Sequence, residues 1–376
     1  MKPFLTTASF TQLGLHEQAA QRVSRLAQTL VNSGEFPALA IQIQRAGQVS
    51  EPLCLGSARL SEHVPVTPGT RFLVASLTKP VVAMAVLLLA EEGRLRLHDR
   101  VADWLPQFSA ANKRSITIRH LLSHTSGLPD MLPNNRELRM GQASLDKFVA
   151  GTCTAEMEFA AGRGAQYQSM GYALLTPIVE AAAGQSLRDF LRERIFEPLE
   201  MHSTELGLSD QQWKAHPAAE VRVPEDHRIG TDWNWNSHYW QTLGAAWGGL
   251  ISTVDDLSRF CRCMLLDGLG PHSRIFSAVS VRMATTNRLP DFALVPEPDR
   301  RTRGWGYGWR MNWLDHRSCF SDFLPASAYG HWGATGTVFW LDRERELAGV
   351  LLSTQAIERN ASHLTSLTNA IVSALD

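Results

Sequence analysis

The stretch Thr70-Arg71-Phe72-Leu73-Val74-Ala75-Ser76-Leu77-Thr78-Lys79-Pro80 passes without a break into Val81-Val82-Ala83-Met84-Ala85-Val86-Leu87-Leu88-Leu89. It sets a serine and a lysine three residues apart at the start of a strongly apolar helix. One helical turn brings Ser76 and Lys79 side by side. The unpaired N–H groups and positive dipole end of the helix N-terminus lie close to that serine. A serine hydroxyl becomes a nucleophile when a neighbouring base takes its proton, and a lysine amine can serve when burial depresses its pKa. The spacing is not sufficient by itself. Ser144-Leu145-Asp146-Lys147 repeats it, and there Ser144 reads as a helix N-cap with Asp146 in the first turn. Ser76 has the same plain reading unless partners elsewhere in the chain join it.

Composition bounds what those partners can do. A chain of 376 residues is too long for one small core, so one large composite domain or two lobes are expected. Lys and Arg total 36 against 37 Asp and Glu, which argues against a nucleic-acid or anionic-membrane partner. The apolar fraction, 44%, is ordinary for a globular protein, and the apolar run at 81–90 is too short to span a bilayer. The first nine residues lack a sustained apolar region of signal-peptide type. Five cysteines (Cys54, Cys153, Cys261, Cys263 and Cys319) are odd in number, widely spread and without metal-ligand spacing. Free thiols in a reducing compartment are the simplest account, so a cytoplasmic location is expected unless a leader has been removed.

The chain reads as strands towards both ends with helices between. Residues 15–32 have helical spacing, 38–44 alternate as a strand, and Ala46-Gly47-Gln48 reads as a turn into a second strand. The Ser76 helix should stop near Gly93. Further helices are expected at 171–183, 187–195 and 254–266, the last capped by Thr253. Residues 307–311, 336–341 and 347–352 read as strands, followed by a closing helix from Ser362. Both ends would share one sheet, with the middle as a helical lobe.

Four segments then join the first. Phe72-Leu73-Val74-Ala75-Ser76-Leu77-Thr78-Lys79-Pro80 is followed by Leu121-Leu122-Ser123-His124-Thr125-Ser126-Gly127-Leu128-Pro129 and by Ile195-Phe196-Glu197-Pro198-Leu199-Glu200-Met201. Gly248-Gly249-Leu250-Ile251-Ser252-Thr253-Val254-Asp255-Asp256-Leu257 and Gly330-His331-Trp332-Gly333-Ala334-Thr335-Gly336-Thr337 complete the set. In this order they resemble the serine β-lactamase-like hydrolases, which include class C β-lactamases, penicillin-binding peptidases, D-amino-acid peptidases and carboxylesterases. The likeness covers residues 35–376. It implies an α/β fold, an antiparallel sheet sandwiched between helices with an inserted, mostly helical lobe. The α/β sandwich would be built from 1–75 and 245–376, and the helical lobe from 76–244.

The resemblance assigns two further site segments. Tyr167-Gln168-Ser169 occupies the place of the family's tyrosine, any residue, asparagine, and Gly162-Arg163-Gly164 stands where a Pro-Gly turn is usual. Tyr167 thus resembles the catalytic tyrosine. A phenol of ordinary pKa ~10 acts as a base near neutrality only if cations hold its phenolate, and Lys79 is the candidate cation. Otherwise Tyr167 is a half-buried core aromatic. Ser169 replaces an amide that both accepts from the lysine and donates to a substrate carbonyl, which a hydroxyl cannot do with the same reach.

His331-Trp332-Gly333 matches the family's lysine or histidine, any residue, glycine strand. The glycine would let substrate lie against the strand, with Trp332 beside it, and the N–H of Ala334 would join that of Ser76 as an oxyanion hole. His331 would favour a Tyr167 phenolate or a substrate carboxylate when protonated, but histidine is mostly uncharged at neutral pH. Its plain reading is a polar strand-end residue.

Other residues read more plainly. His120 and His124, four apart without a following glutamate, are structural hydrogen-bonders rather than metal ligands. Trp233, Trp235, Tyr239, Trp240 and Trp247, with Trp305 and Trp309, are core aromatics by default and an apolar acyl-pocket wall in the functional reading. Residues 289–303, rich in Pro, Asp and Arg, read as a mobile surface loop near the cleft.

The sequence thus predicts a serine hydrolase working through an acyl-enzyme, with Ser76, Lys79 and Tyr167 catalytic and no metal or cofactor. Its partner would be a small-molecule ester or amide. Ester hydrolysis is the first expectation, and β-lactam or D-amino-acid peptide hydrolysis the alternative. A non-catalytic ligand-binding or assembly protein of the same fold is the opposing reading, suggested by the missing asparagine and altered turn.

Overall fold

The segment Ala38–Arg45 shows how the sheet is buried on both faces. Leu39, Ile41 and Ile43 point into one apolar core, whereas Ala38 and Ala40 belong to the other. The polar positions are not solvated. Gln42 Nε2 donates to Asp255 Oδ1 at 2.6 Å, and Gln44 Nε2 to the Ser258 carbonyl at 2.8 Å. Period-two alternation therefore sorts side chains between two helical layers rather than between core and water.

The computed structural model describes residues 4–110, 112–225, 233–312, 320–357 and 362–375. Its strands are β1 (Thr6–Ala8), β2 (Ala38–Arg45), β3 (Gln48–Ser50), β4 (Leu53–Gly56), β5 (Phe72–Ala75), β6 (Glu205–Leu206), β7 (Leu250–Ser252), β8 (Arg310–Met311), β9 (Tyr329–Gly333), β10 (Thr337–Asp342) and β11 (Leu347–Ser353). Eight form one sheet in the order β1-β3-β2-β11-β10-β9-β8, with β4 sharing an edge of β2 with β3. Every pairing is antiparallel except β1 with β3. A second, three-stranded sheet runs β5-β7-β6.

The helices Glu17–Asn32 and Ser362–Val372 pack together on one face of the large sheet. Helix Val254–Leu265, N-capped by Thr253 Oγ1 on the Asp256 N–H at 3.2 Å, covers the other. The molecule is thus a three-layer α/β protein with a helical lobe.

Helix Thr78–Glu91 is the buried axle of that lobe. Every residue from Thr78 to Leu89 is buried, against Met170–Ala183 and neighbouring helices. An all-round apolar helix is stable only when enclosed on every side. It ends where Gly93 takes φ +70° and the Arg94 N–H returns to the Leu89 carbonyl at 2.9 Å.

Three expectations need correction. Only Arg310–Met311 of the anticipated 307–311 strand pairs, because Gly308 adopts φ +81° to pass within contact of Ala83. The 187–195 helix is regular over Leu187–Leu191 and then widens into a π turn over Arg192–Phe196. Residues 289–303 are not a loop: they hold a 3₁₀ turn (Leu289–Asp291) and a helix (Glu297–Thr302), with Leu289, Phe292 and Val295 buried beneath Trp305. Cys54, Cys153, Cys261 and Cys263 are free thiols, while Cys319 lies outside the described residues. Among the described residues no helix is long and apolar enough to cross a membrane.

Candidate active site

Ser76 lies in the tight turn between β5 and helix Thr78–Glu91, one residue ahead of the cap position. The turn is strained. Ala75 adopts φ +48°, a left-handed conformation that an L-residue with a Cβ seldom occupies. Thr78 Oγ1 holds it, donating to the Ala75 carbonyl at 2.6 Å and accepting the Leu250 N–H at 3.0 Å.

Three side chains meet there. Lys79 Nζ is 3.1 Å from Ser76 Oγ, 2.6 Å from Tyr167 Oη and 2.8 Å from the Trp247 carbonyl oxygen. Tyr167 Oη is 2.6 Å from Ser76 Oγ, closing a triangle. Lys79 is fully buried, and that burial lowers its pKa from 10.5 to about 7, with Asp130 opposing the shift. The Trp247 carbonyl can only accept, so one Lys79 N–H is committed to it.

Tyr167 is shifted the other way. Burial pushes its phenol well above the ordinary value, and the Asp130 carboxylate adds to that shift. Hydrogen bonds to Ser76 and Ser169 offset it in part. Burial thus works against a resting Tyr167 phenolate, and it also drives the nearest amine, Lys79, towards neutrality, which lessens the charge that could hold one.

Residues 121–129 position Tyr167. His124, at φ +59°, accepts the Gln168 N–H on Nδ1 at 3.1 Å, and its carbonyl accepts the Gln166 N–H at 2.9 Å. Ser126 Oγ donates to Gln168 Oε1. At Gly127 (φ +78°) a Cβ would lie 1.9 Å from the Phe159 carbonyl oxygen, so the turn requires glycine. The Tyr167 ring stacks on Trp305 at 5.8 Å and 27°, and the His124 ring lies 4.2 Å from Trp305. His120 closes a capping box with Thr117. Both histidines have internal structural partners.

The β9 edge supplies the other wall. Thr335 Oγ1 donates to the Leu73 carbonyl at 2.6 Å, and Thr337 Oγ1 to the Val74 carbonyl at 2.9 Å, binding the β9–β10 turn to β5. A Cβ on Gly333 would stand 2.3 Å from the Val74 oxygen, so this approach excludes any side chain. The backbone N–H groups of Ser76 and Ala334 donate to no other group among the described residues.

His331 is buried, with Nδ1 2.8 Å from the Trp332 carbonyl. That contact requires a proton on Nδ1 and leaves Nε2 as a buried acceptor without a partner. Burial, with Lys79 nearby, drives its pKa down to about 3. Burial thus adds to the preference for the uncharged imidazole expected at neutral pH, and His331 offers no positive charge to a phenolate or a substrate carboxylate. Trp332, next along the strand, lies edge-on to Phe320 at 6.0 Å and packs with the core of the opposite sheet face. Ser169 is buried beside Tyr167, its N–H donating to the Asp130 carbonyl at 3.3 Å.

Asp130 and the Trp247 carbonyl escaped sequence reasoning. Asp130 directly follows Ser126-Gly127-Leu128-Pro129, and that adjacency was its only signal. A backbone carbonyl carries no sequence signal. Trp233, Trp240 and Trp247 form a buried chain, with the Arg139 guanidinium over the first two at 4.7 and 4.3 Å.

The sequence profile described as Beta-lactamase matches residues 23–370, and the chain belongs to that family of serine hydrolases, which includes esterases and D-alanyl-D-alanine carboxypeptidases. Penicillin-binding protein 4 of Amycolatopsis lactamdurans is 32% identical over 81% of this chain and 76% of its own length. Esterase EstB of Burkholderia gladioli is 27% identical over 96% of this chain and 97% of its own. Among solved structures, EstCE1, a hydrolase with promiscuous acyltransferase activity, superimposes with a TM-score of 0.77 over 95% of this chain and 99% of its own, at 19% identity.

Proposed function

We propose that this protein cleaves small or apolar-acyl esters through an acyl-enzyme on Ser76. The observation that carries the reading is the closed triangle of Ser76, Lys79 and Tyr167 around an amine whose pKa burial lowers to about 7. Near neutrality a substantial fraction of such an amine is an unprotonated base.

Ser76 Oγ attacks the ester carbonyl carbon. Its proton passes to Tyr167 Oη as the phenol proton passes to Lys79 Nζ, so Tyr167 relays and never rests as a phenolate. The two free N–H groups of Ser76 and Ala334 receive the oxyanion. On collapse, the Lys79 ammonium returns its proton through Tyr167 to the departing alkoxide, and the C–O bond breaks. A water molecule reverses the sequence and releases the acid.

Ester preference rests on Ser169 and His331. The first lacks the reach to bridge lysine and a substrate amide, and the second offers no positive charge to a β-lactam carboxylate. Hydrolysis of β-lactams or D-amino-acid amides is the second reading, favoured by the likeness to penicillin-binding protein 4. Comparing catalytic efficiency on nitrophenyl butyrate and a chromogenic cephalosporin tests the choice. The ester should be the better substrate, and a faster cephalosporin reaction promotes the second reading.

A further inference from the structure

At the end of β5 remote from Ser76, a cavity of about 460 Å³ opens between residues 57–71 and 215–219. It contains none of Ser76, Lys79 and Tyr167. Its polar lining is Arg59, Arg71, Thr67, Thr70, Ser203 and His216, and the remaining lining side chains carry no polar atom. No carboxylate lines it.

Arg71 is the unusual member. Its Nη1 is enclosed by protein, and among the described residues no nitrogen of its guanidinium makes a hydrogen bond or ion pair although the side chain lines the cavity. A partly exposed guanidinium with no acceptor in the protein is open to one supplied by a ligand. Its backbone is firmly placed, since the Arg71 carbonyl accepts the Ala219 N–H at 2.8 Å. Arg59 is anchored across the cavity by Nη1 contacts to the Ala58 and Ala218 carbonyls at 3.2 and 2.9 Å, which leave its charge unneutralised. Thr70 Oγ1 accepts the Thr67 N–H at 2.9 Å and pairs with Thr67 Oγ1 at 3.3 Å. Donors therefore predominate in a half-apolar cavity of ligand size.

We infer that this cavity is a second binding site, for a small organic oxyanion whose carboxylate or phosphate pairs with Arg71 and whose apolar body lies along the remaining wall. A planar guanidinium fork matches both headgroups. The site is independent of the hydrolase reading.

Calorimetric titration of the whole protein with phenyl phosphate, benzoate and uncharged benzamide tests it. Both anions should bind one-to-one and benzamide should not, and the tighter of the two anions identifies the preferred headgroup. Arg71→Gln should weaken anion binding at least tenfold, while Ser76→Ala leaves it unchanged. Without anion, Arg71→Gln should melt no lower than wild type, because it removes an unpaired charge. If Arg71→Gln does not fold, Arg59→Gln supplies the same readout. Absence of anion binding, equal affinity in the arginine variants, or benzamide binding as tightly as benzoate overturns the site.

Discussion

Lys79 Nζ stands 2.6 Å from Tyr167 Oη, and burial shifts the two groups towards neutrality from opposite sides, the amine downward and the phenol upward. Near neutrality the amine is divided between its free and protonated forms beside a protonated phenol, so it can take the Ser76 proton through Tyr167 and later return it.

The pH profile should report the amine. Activity requires Lys79 unprotonated, so kcat/KM should rise with pH through about 7. Asp130, whose carboxylate raises the Lys79 pKa, acts here as a positioning residue. Asp130→Asn should move the acidic limb to lower pH, by about one unit. A limb that stays in place or moves upward contradicts the coupling.

Lys79→Met and Tyr167→Phe should each slow acylation by roughly two or more orders of magnitude, the size of a general-base contribution. The double variant should be little worse than either single one, because the two act as one unit. Stopped-flow acylation with a nitrophenyl ester measures all three. Full additivity, or an active Tyr167→Phe enzyme, excludes the relay.

Buried neutral histidines make the fold acid-sensitive. His331 titrates near 6.5 when unfolded but near 3 when folded, and burial depresses His124 likewise. Between those values the unfolded chain binds more protons. The His331 contribution is therefore complete above 6.5 and lost as pH falls towards 3, and the His124 contribution is lost in the same direction. Urea unfolding across this range should show falling stability, and the slope should be shallower in His331→Gln.

Selectivity should depend on Ser169. Ser169→Asn restores an amide beside Tyr167 and should shift the efficiency ratio from nitrophenyl ester towards cephalosporin. The shift should not exceed the 1.5–3 kcal/mol or so that a hydrogen bond involving a charged group contributes. An unchanged ratio means that Ser169 does not set the preference.

Helix Thr78–Glu91 and the triangle's three members were legible because each carries a local signature: an unbroken apolar run, a one-turn spacing, or a tyrosine in an ordered set of segments. Residues 289–303 were misread because Pro, Asp and Arg dominate their composition. Leu289, Phe292 and Val295 recur every third residue, a helical-period signal too short to stand out, yet they form the small core under Trp305 that backs Tyr167. The upward shift of the Tyr167 phenol was not legible, since it depends on depth of burial and on the Asp130 carboxylate brought near by the fold. Nor was the fate of Gln42 and Gln44, whose partners lie more than two hundred residues away.

Labelling the nucleophile as a phosphonyl adduct tests the central claim most directly. The protein is incubated with a fluorophosphonate, digested, and the adduct located by peptide mass spectrometry. A single adduct on Ser76, absent in Ser76→Ala and retained in Ser144→Ala, is the predicted result. An adduct on another serine, or none from a folded protein, contradicts it.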